Sequence, residues 1–141
     1  MHTAGSVSSR LTLLKGSGSS WTSFSSLETR VPAGVFAAAS NDVWIAGANG
    51  MLDHFGGTGL AVVQTPDLAA QYTAIHGTGP RDVFAVSAAN LYAWDGSSWS
   101  RVVTLSNVTQ LLTGVWADVH HVWIGGRTAG ARYDDVLLLQ R

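Results

Sequence analysis

The sequence predicts an all-β chain assembled from a repeated antiparallel unit. Three observations predict it: one motif returns at near-constant spacing, strand-forming residues build that motif, and glycine-rich turn signals bound each copy. The motif is Asp42-Val43-Trp44-Ile45-Ala46-Gly47. It returns as Asp82-Val83-Phe84-Ala85-Val86-Ser87 and as His121-Val122-Trp123-Ile124-Gly125-Gly126, a step of about 40 residues each time.

Each copy predicts four strands. The first lies near residues 34–39, 73–77 and 112–117, with an apolar residue (Phe36, Ile75, Val115) eight or nine positions before the motif's aromatic. The motif is the second strand. It is apolar at consecutive positions, as a strand covered on both faces must be. The third strand holds Leu52, Leu91 and Ala131, followed by an aromatic: Phe55, Trp94 and Tyr133. A two-residue turn follows at Gly56-Gly57, Asp95-Gly96 and Asp134-Asp135; Asp-Gly is the strongest short hairpin signal. The fourth strand follows Leu60 and Trp99, and Val136 to Gln140 in the last copy.

Leu11 to Lys15, then Ser19-Ser20-Trp21, repeat the back half of the unit, so Trp21 and Trp99 share one position. The units are residues 9–30 (partial), 31–68, 69–107 and 108–141 of a single domain. A helical repeat would need apolar residues at 3.6 spacing over ten or more positions, and the Gly and Ser content defeats that.

A four-stranded unit at this period predicts β-propeller blades, about three and a half per chain. The pattern Asp-Val-Trp-apolar-(Ala/Val)-Gly, a turn, Leu, an aromatic, then Asp-Gly-x-x-Trp resembles propeller repeats of large bacterial secreted and surface proteins. The blade is similar to those of WD-type and Kelch-type propellers, and the likeness runs from about Leu11 to Asp135. It implies an extracellular or cell-surface place. Copy three departs from the pattern: His121 replaces the acid, and no Gly-x-x-Trp follows Asp134-Asp135. The adjacency of Asp95 and Gly96 fails the sialidase-type Asp-box, so that activity is not carried over. Known propellers have about four to eight blades, so three and a half predict either completion by a second copy or a piece cut from a longer propeller. A homodimer with paired strand ends gives a seven-bladed ring, or six blades if the N-terminal strands complete the last unit.

Composition excludes several classes. The 141 residues carry a net charge of −1 and no cysteine, so neither a nucleic-acid footprint nor a thiol metal site is present. No apolar run approaches the roughly 18 residues of a membrane span. Met1 to Ser9 lack the charged and apolar regions of a signal peptide.

The chemistry-bearing residues read as structural. Asp42 and Asp82 recur at one position, which favours turn acids accepting backbone N–H over a glycosidase pair. Glu28, Asp53, Asp67, Asp118 and Asp135 do not recur. His2, His54, His76, His120 and His121 lack chelating spacing, and adjacent strand residues point to opposite faces. Trp44, Phe84 and Trp123 are expected in the core, as are Phe55, Trp94 and Tyr133. Trp116 varies between copies, with Ala37 and His76 as counterparts, so His76 and Trp116 are candidates for a ligand contact, with no ligand-binding residue assigned. No catalytic, metal or cofactor residue is assigned, and no cofactor is expected. The expectation is a non-enzymatic, lectin-like module for carbohydrate or protein. A self-assembling interaction domain, or a glycosidase or lyase on the same scaffold, stands as the alternative.

Overall fold

The computed structural model describes residues 10–105, 110–128 and 134–140. These form thirteen strands and no helix, arranged in four antiparallel sheets. A hairpin of β1 (Thr12–Ser17) and β2 (Ser20–Ser25) comes first. The second sheet holds β3 (Pro32–Ala39), β4 (Asp42–Gly47), β5 (Met51–Phe55) and β6 (Leu60–Val62). The third holds β7 (Tyr72–Gly79), β8 (Asp82–Ser87), β9 (Asn90–Trp94) and β10 (Trp99–Thr104). The fourth holds β11 (Gln110–Ala117), β12 (His121–Thr128) and β13 (Asp134–Gln140). Within each sheet the strands neighbour one another in chain order. Among the described residues no helix is long and apolar enough to cross a membrane.

Strand register corrects the repeat alignment by one residue in the first copy. Phe36 pairs with Trp44, His76 with Phe84 and Trp116 with Trp123. The counterpart of Trp116 is therefore Phe36 and not Ala37. Val35, Ile75 and Val115 are the matching set on the other face, opposite Ile45, Ala85 and Ile124. A bulge recurs near residues 33, 73 and 113 in the three first strands. A second bulge, present in the first two copies, is missing from the third, which shortens its β11–β12 connection by one residue.

The sheets stack in chain order, with β3 against β7 and β7 against β11. The hairpin gives Leu11 and Leu13 to a cluster with Ile45, Met51 and Leu60 of the second sheet. The other face of the second sheet gives Trp44, Ala46 and Leu52 to a cluster with Tyr72, Val83, Ala85, Tyr92 and Trp99 of the third. Phe84, Val86 and Leu91 then meet Leu112, Val122 and Ile124 of the fourth. Alternation along each strand feeds both clusters, which is why β4 and β8 are apolar at consecutive positions, Val43 to Ala46 and Val83 to Val86, and buried beyond their first residue. The bulge residue Thr73 bridges two sheets, its Oγ1 donating to the Leu112 carbonyl at 2.6 Å.

Several expectations change. The turns at Gly56-Gly57 and Asp95-Gly96 are four-residue loops, because Phe55 pairs with Leu60 and Trp94 with Trp99. In the second loop the Asp95 Oδ1 accepts the Ser97 and Ser98 N–H groups at 2.8 and 2.9 Å, and within the loop only Gly96 takes a positive φ. Residues 134–140, expected as a turn and a fourth strand, form β13, which pairs with β12 in the third-strand place. Ala131 and Tyr133 lie outside the described residues, as do Met1 to Ser9. Trp123, expected in the core, is 39% exposed, because its face of the fourth sheet meets no further sheet among the described residues.

Candidate functional site

Trp44 projects from the second sheet into the third. Its ring meets Trp94 at 4.8 Å and Trp99 at 5.4 Å, the latter edge-on at 87°. The pairing of Trp94 with Trp99 across the β9–β10 hairpin puts both indoles on the face turned to Trp44. On the far side of Trp44, the His54 ring lies at 4.6 Å and is held by Asp42, Nε2 to Oδ1 at 2.7 Å. Asp42 therefore serves a side chain, and Asp82 accepts from Thr78 Oγ1. Asp67, Asp95 and Asp118 do accept turn N–H groups, Asp67 from Ala69 and Asp118 from His120 and His121.

A groove of about 460 Å³ opens beside this cluster. One wall is the end of β6 and the strand exit, Val62, Val63, Gln64, Thr65 and Pro66; the other is Trp94, Ser97, Ser98 and Trp99. Every lining side chain is uncharged. Trp94 Nε1 donates to the Pro80 carbonyl at 3.1 Å, which fixes its ring. Thr65 Oγ1 and the Tyr72 hydroxyl bond at 2.6 Å, and burial pushes the Tyr72 phenol up to about 12, so it stays neutral. The Nε1 atoms of Trp44 and Trp99 are buried and have no hydrogen-bond partner among the described residues. An unpaired buried donor costs about 1–3 kcal/mol.

The structure also brings together two acids that the sequence left apart. Arg30 bonds Glu28 through two nitrogens, at 2.9 and 2.6 Å, and Asp53 Oδ1 at 2.8 Å. A cavity of about 320 Å³ lies against the two acids. Hydrogen bonding to Arg30 lowers the Glu28 carboxyl to about 2. Burial, then hydrogen bonding to Glu28, raises Asp53 to about 6. One acid ionised and one holding a proton is an arrangement that glycosidases use. Here both carboxylates engage Arg30, which pins the segment after the hairpin to the centre of the second sheet.

This trio sets a pH dependence. Glu28 has a depressed folded pKa, so its contribution is full above 4.5 and is lost as pH falls through about 2. Asp53 has a raised one, so its contribution is full below 3.8 and is lost as pH rises through about 6. The difference between wild-type and Asp53→Asn melting temperatures is expected to change across that second window. Thermal denaturation followed by circular dichroism from pH 3 to 8 checks it; parallel curves would rule the assignment out.

His76 and Trp116 do meet. Their rings stack at 5.6 Å and 24°, and Phe36 lies 5.6 Å from His76 on the other side. His76 Nδ1 accepts the Ala117 N–H at 2.9 Å, which commits that nitrogen to joining two sheets, and burial lowers its pKa. Among the described residues no three His, Asp or Glu side chains gather as a metal site would need. The tryptophan groove was hidden from sequence reading because its second wall, Val62 to Pro66, carries no repeated motif. Comparison with family models, curated proteins and solved structures gave no match to any of them.

Proposed function

We propose that the chain contributes blades to a β-propeller and acts as a non-enzymatic binding module for neutral carbohydrate. The four-stranded antiparallel sheets, their order and the adjacency of their first strands support the propeller reading. The observation that carries the ligand reading is the groove itself. It joins Trp94 and Trp99 to Gln64, Ser97 and Ser98 and has no charged lining residue. Sugar rings offer C–H faces to aromatic rings and hydroxyls to N–H, amide and hydroxyl groups, and the volume lies within the usual range for small-ligand sites. The absence of a lining charge favours neutral over acidic sugars.

Tryptophan fluorescence titrated with neutral and acidic oligosaccharides tests the reading. Saturable change with a neutral sugar is expected. Gln64→Ala should weaken it about five- to tenfold, the worth of one hydrogen bond, without shifting the melting temperature. A flat response to every neutral sugar, or a preference for acidic ones, would reject the proposal. A self-assembling interaction domain is the second reading, supported separately by Trp21, Trp116 and Trp123, which stand exposed.

A further inference from the structure

We propose that a second copy of this chain docks head to tail, the outward face of β11–β12 of one copy seating on the outward face of β1–β2 of the other. The template for this contact lies inside the chain. Trp44 of the second sheet packs edge-on against Trp99 of the third at 5.4 Å, and the two residues are 2% and 5% exposed. Trp123 holds the position of Trp44, since each is the third residue of its motif and pairs with the equivalent first-strand residue. Trp21 holds the position of Trp99, since Gly16 pairs with Trp21 as Trp94 pairs with Trp99. Both halves of a contact that is buried internally are therefore displayed at opposite ends of the stack. Trp123 is 39% and Trp21 69% exposed.

Strand alternation confirms the directions. Leu13 and Phe24, paired on the hairpin, face the second sheet, where Phe24 meets Phe55 at 4.7 Å. Trp21 and Leu14 belong to the opposite face. On the fourth sheet, Val122 and Ile124 face the third sheet, so Trp123 faces away. The ring column repeats the polarity: Phe36 leans on His76, His76 on Trp116, and Trp116 is left 51% exposed as the next donor. Trp21 lies across Gly16, where an added β-carbon would come within 2.9 Å of its ring, and this presents the other ring face outward. The internal contact joins unlike faces, so its intermolecular copy is heterologous, and neither like-with-like pairing has a precedent in the chain. This inference rests on the repeat register and is independent of the carbohydrate groove.

The chain has no cysteine, which makes the geometry directly testable. Ser23→Cys lies on the Trp21 face, and Gly125→Cys lies on the Trp123 face with nothing within 4 Å of its β-carbon. A short bis-maleimide added to an equimolar mixture should link the two variants to each other, while each variant alone stays unlinked to its own kind at the same concentration. Light scattering over a dilution series should show that wild-type association weakens at least about tenfold in Trp21→Ser and in Trp123→Ser. Unchanged melting temperatures would confirm that both exposed-site variants fold. A wild-type chain that stays monomeric throughout, or like-with-like links as abundant as mixed ones, would overturn the proposal.

Discussion

Trp44→Ala is expected to cost about 3–5 kcal/mol and to lower the melting temperature by roughly 10 °C or more. Trp44 is 2% exposed and joins two sheets, touching Trp94, Trp99 and His54. Truncation leaves a cavity that cannot collapse, because Trp94 is tied to the Pro80 carbonyl and Trp99 to its hairpin pairing. The same loss removes the aromatic backing of the groove, so carbohydrate affinity should fall with it. Trp44→Phe separates size from polarity. Phe84 fills the equivalent position in the third sheet, and phenylalanine lacks the N–H that Trp44 leaves unpartnered. Its cost should therefore be within about 1 kcal/mol, since the lost packing is offset by a relieved donor. Urea denaturation of both variants measures the contrast. A Trp44→Phe loss well above about 1 kcal/mol would mean that the indole N–H is satisfied and that the lost ring volume decides.

How much was legible follows from which interactions are local. The second strand of each copy was readable because burial on both faces forces consecutive apolar residues, as Val43 to Ala46 demonstrate. Hairpin lengths were not: the loops after Phe55 and after Trp94 are both four residues long, although only the second has an acid, Asp95, holding the Ser97 and Ser98 N–H groups. Asp-Gly alone does not report that. The repeat alignment slipped by one residue because Phe36 and Ile75 are both apolar, yet belong to opposite faces around a bulge. The Glu28–Arg30–Asp53 trio was illegible for a different reason. Its members come from a strand exit and a sheet centre, and only tertiary packing places Arg30 on both acids. Repetition marked the core residues well, but it does not tell a covered face from an open one. Trp44 and Trp123 have the same sequence context and opposite exposure.

Gly47→Ala should be the most damaging small substitution, at about 3 kcal/mol. A β-carbon there would fall 2.2 Å from the Val31 carbonyl oxygen and 2.8 Å from Pro32 Cα, both backbone atoms that cannot rotate away. The repeat does not require glycine at this place, because Ser87 occupies it in the third sheet opposite Tyr72. The requirement comes from the approach of Val31 and Pro32, whose carbonyl at Val31 accepts the Ala48 N–H at 2.9 Å. Making room for a methyl group moves that carbonyl and strains the neighbouring Arg30, so the variant should also loosen the grip on Asp53. Gly125→Ala is the matched control, since its β-carbon meets nothing within 4 Å. Melting temperatures should drop sharply for the first and change little for the second. Combining Gly47→Ala with Asp53→Asn should cost less than the two separate losses added, because both act on one contact. Strict additivity in that cycle would show that Val31 moves without disturbing Arg30, and the link between the strand entrance and the buried acid would then have to be abandoned.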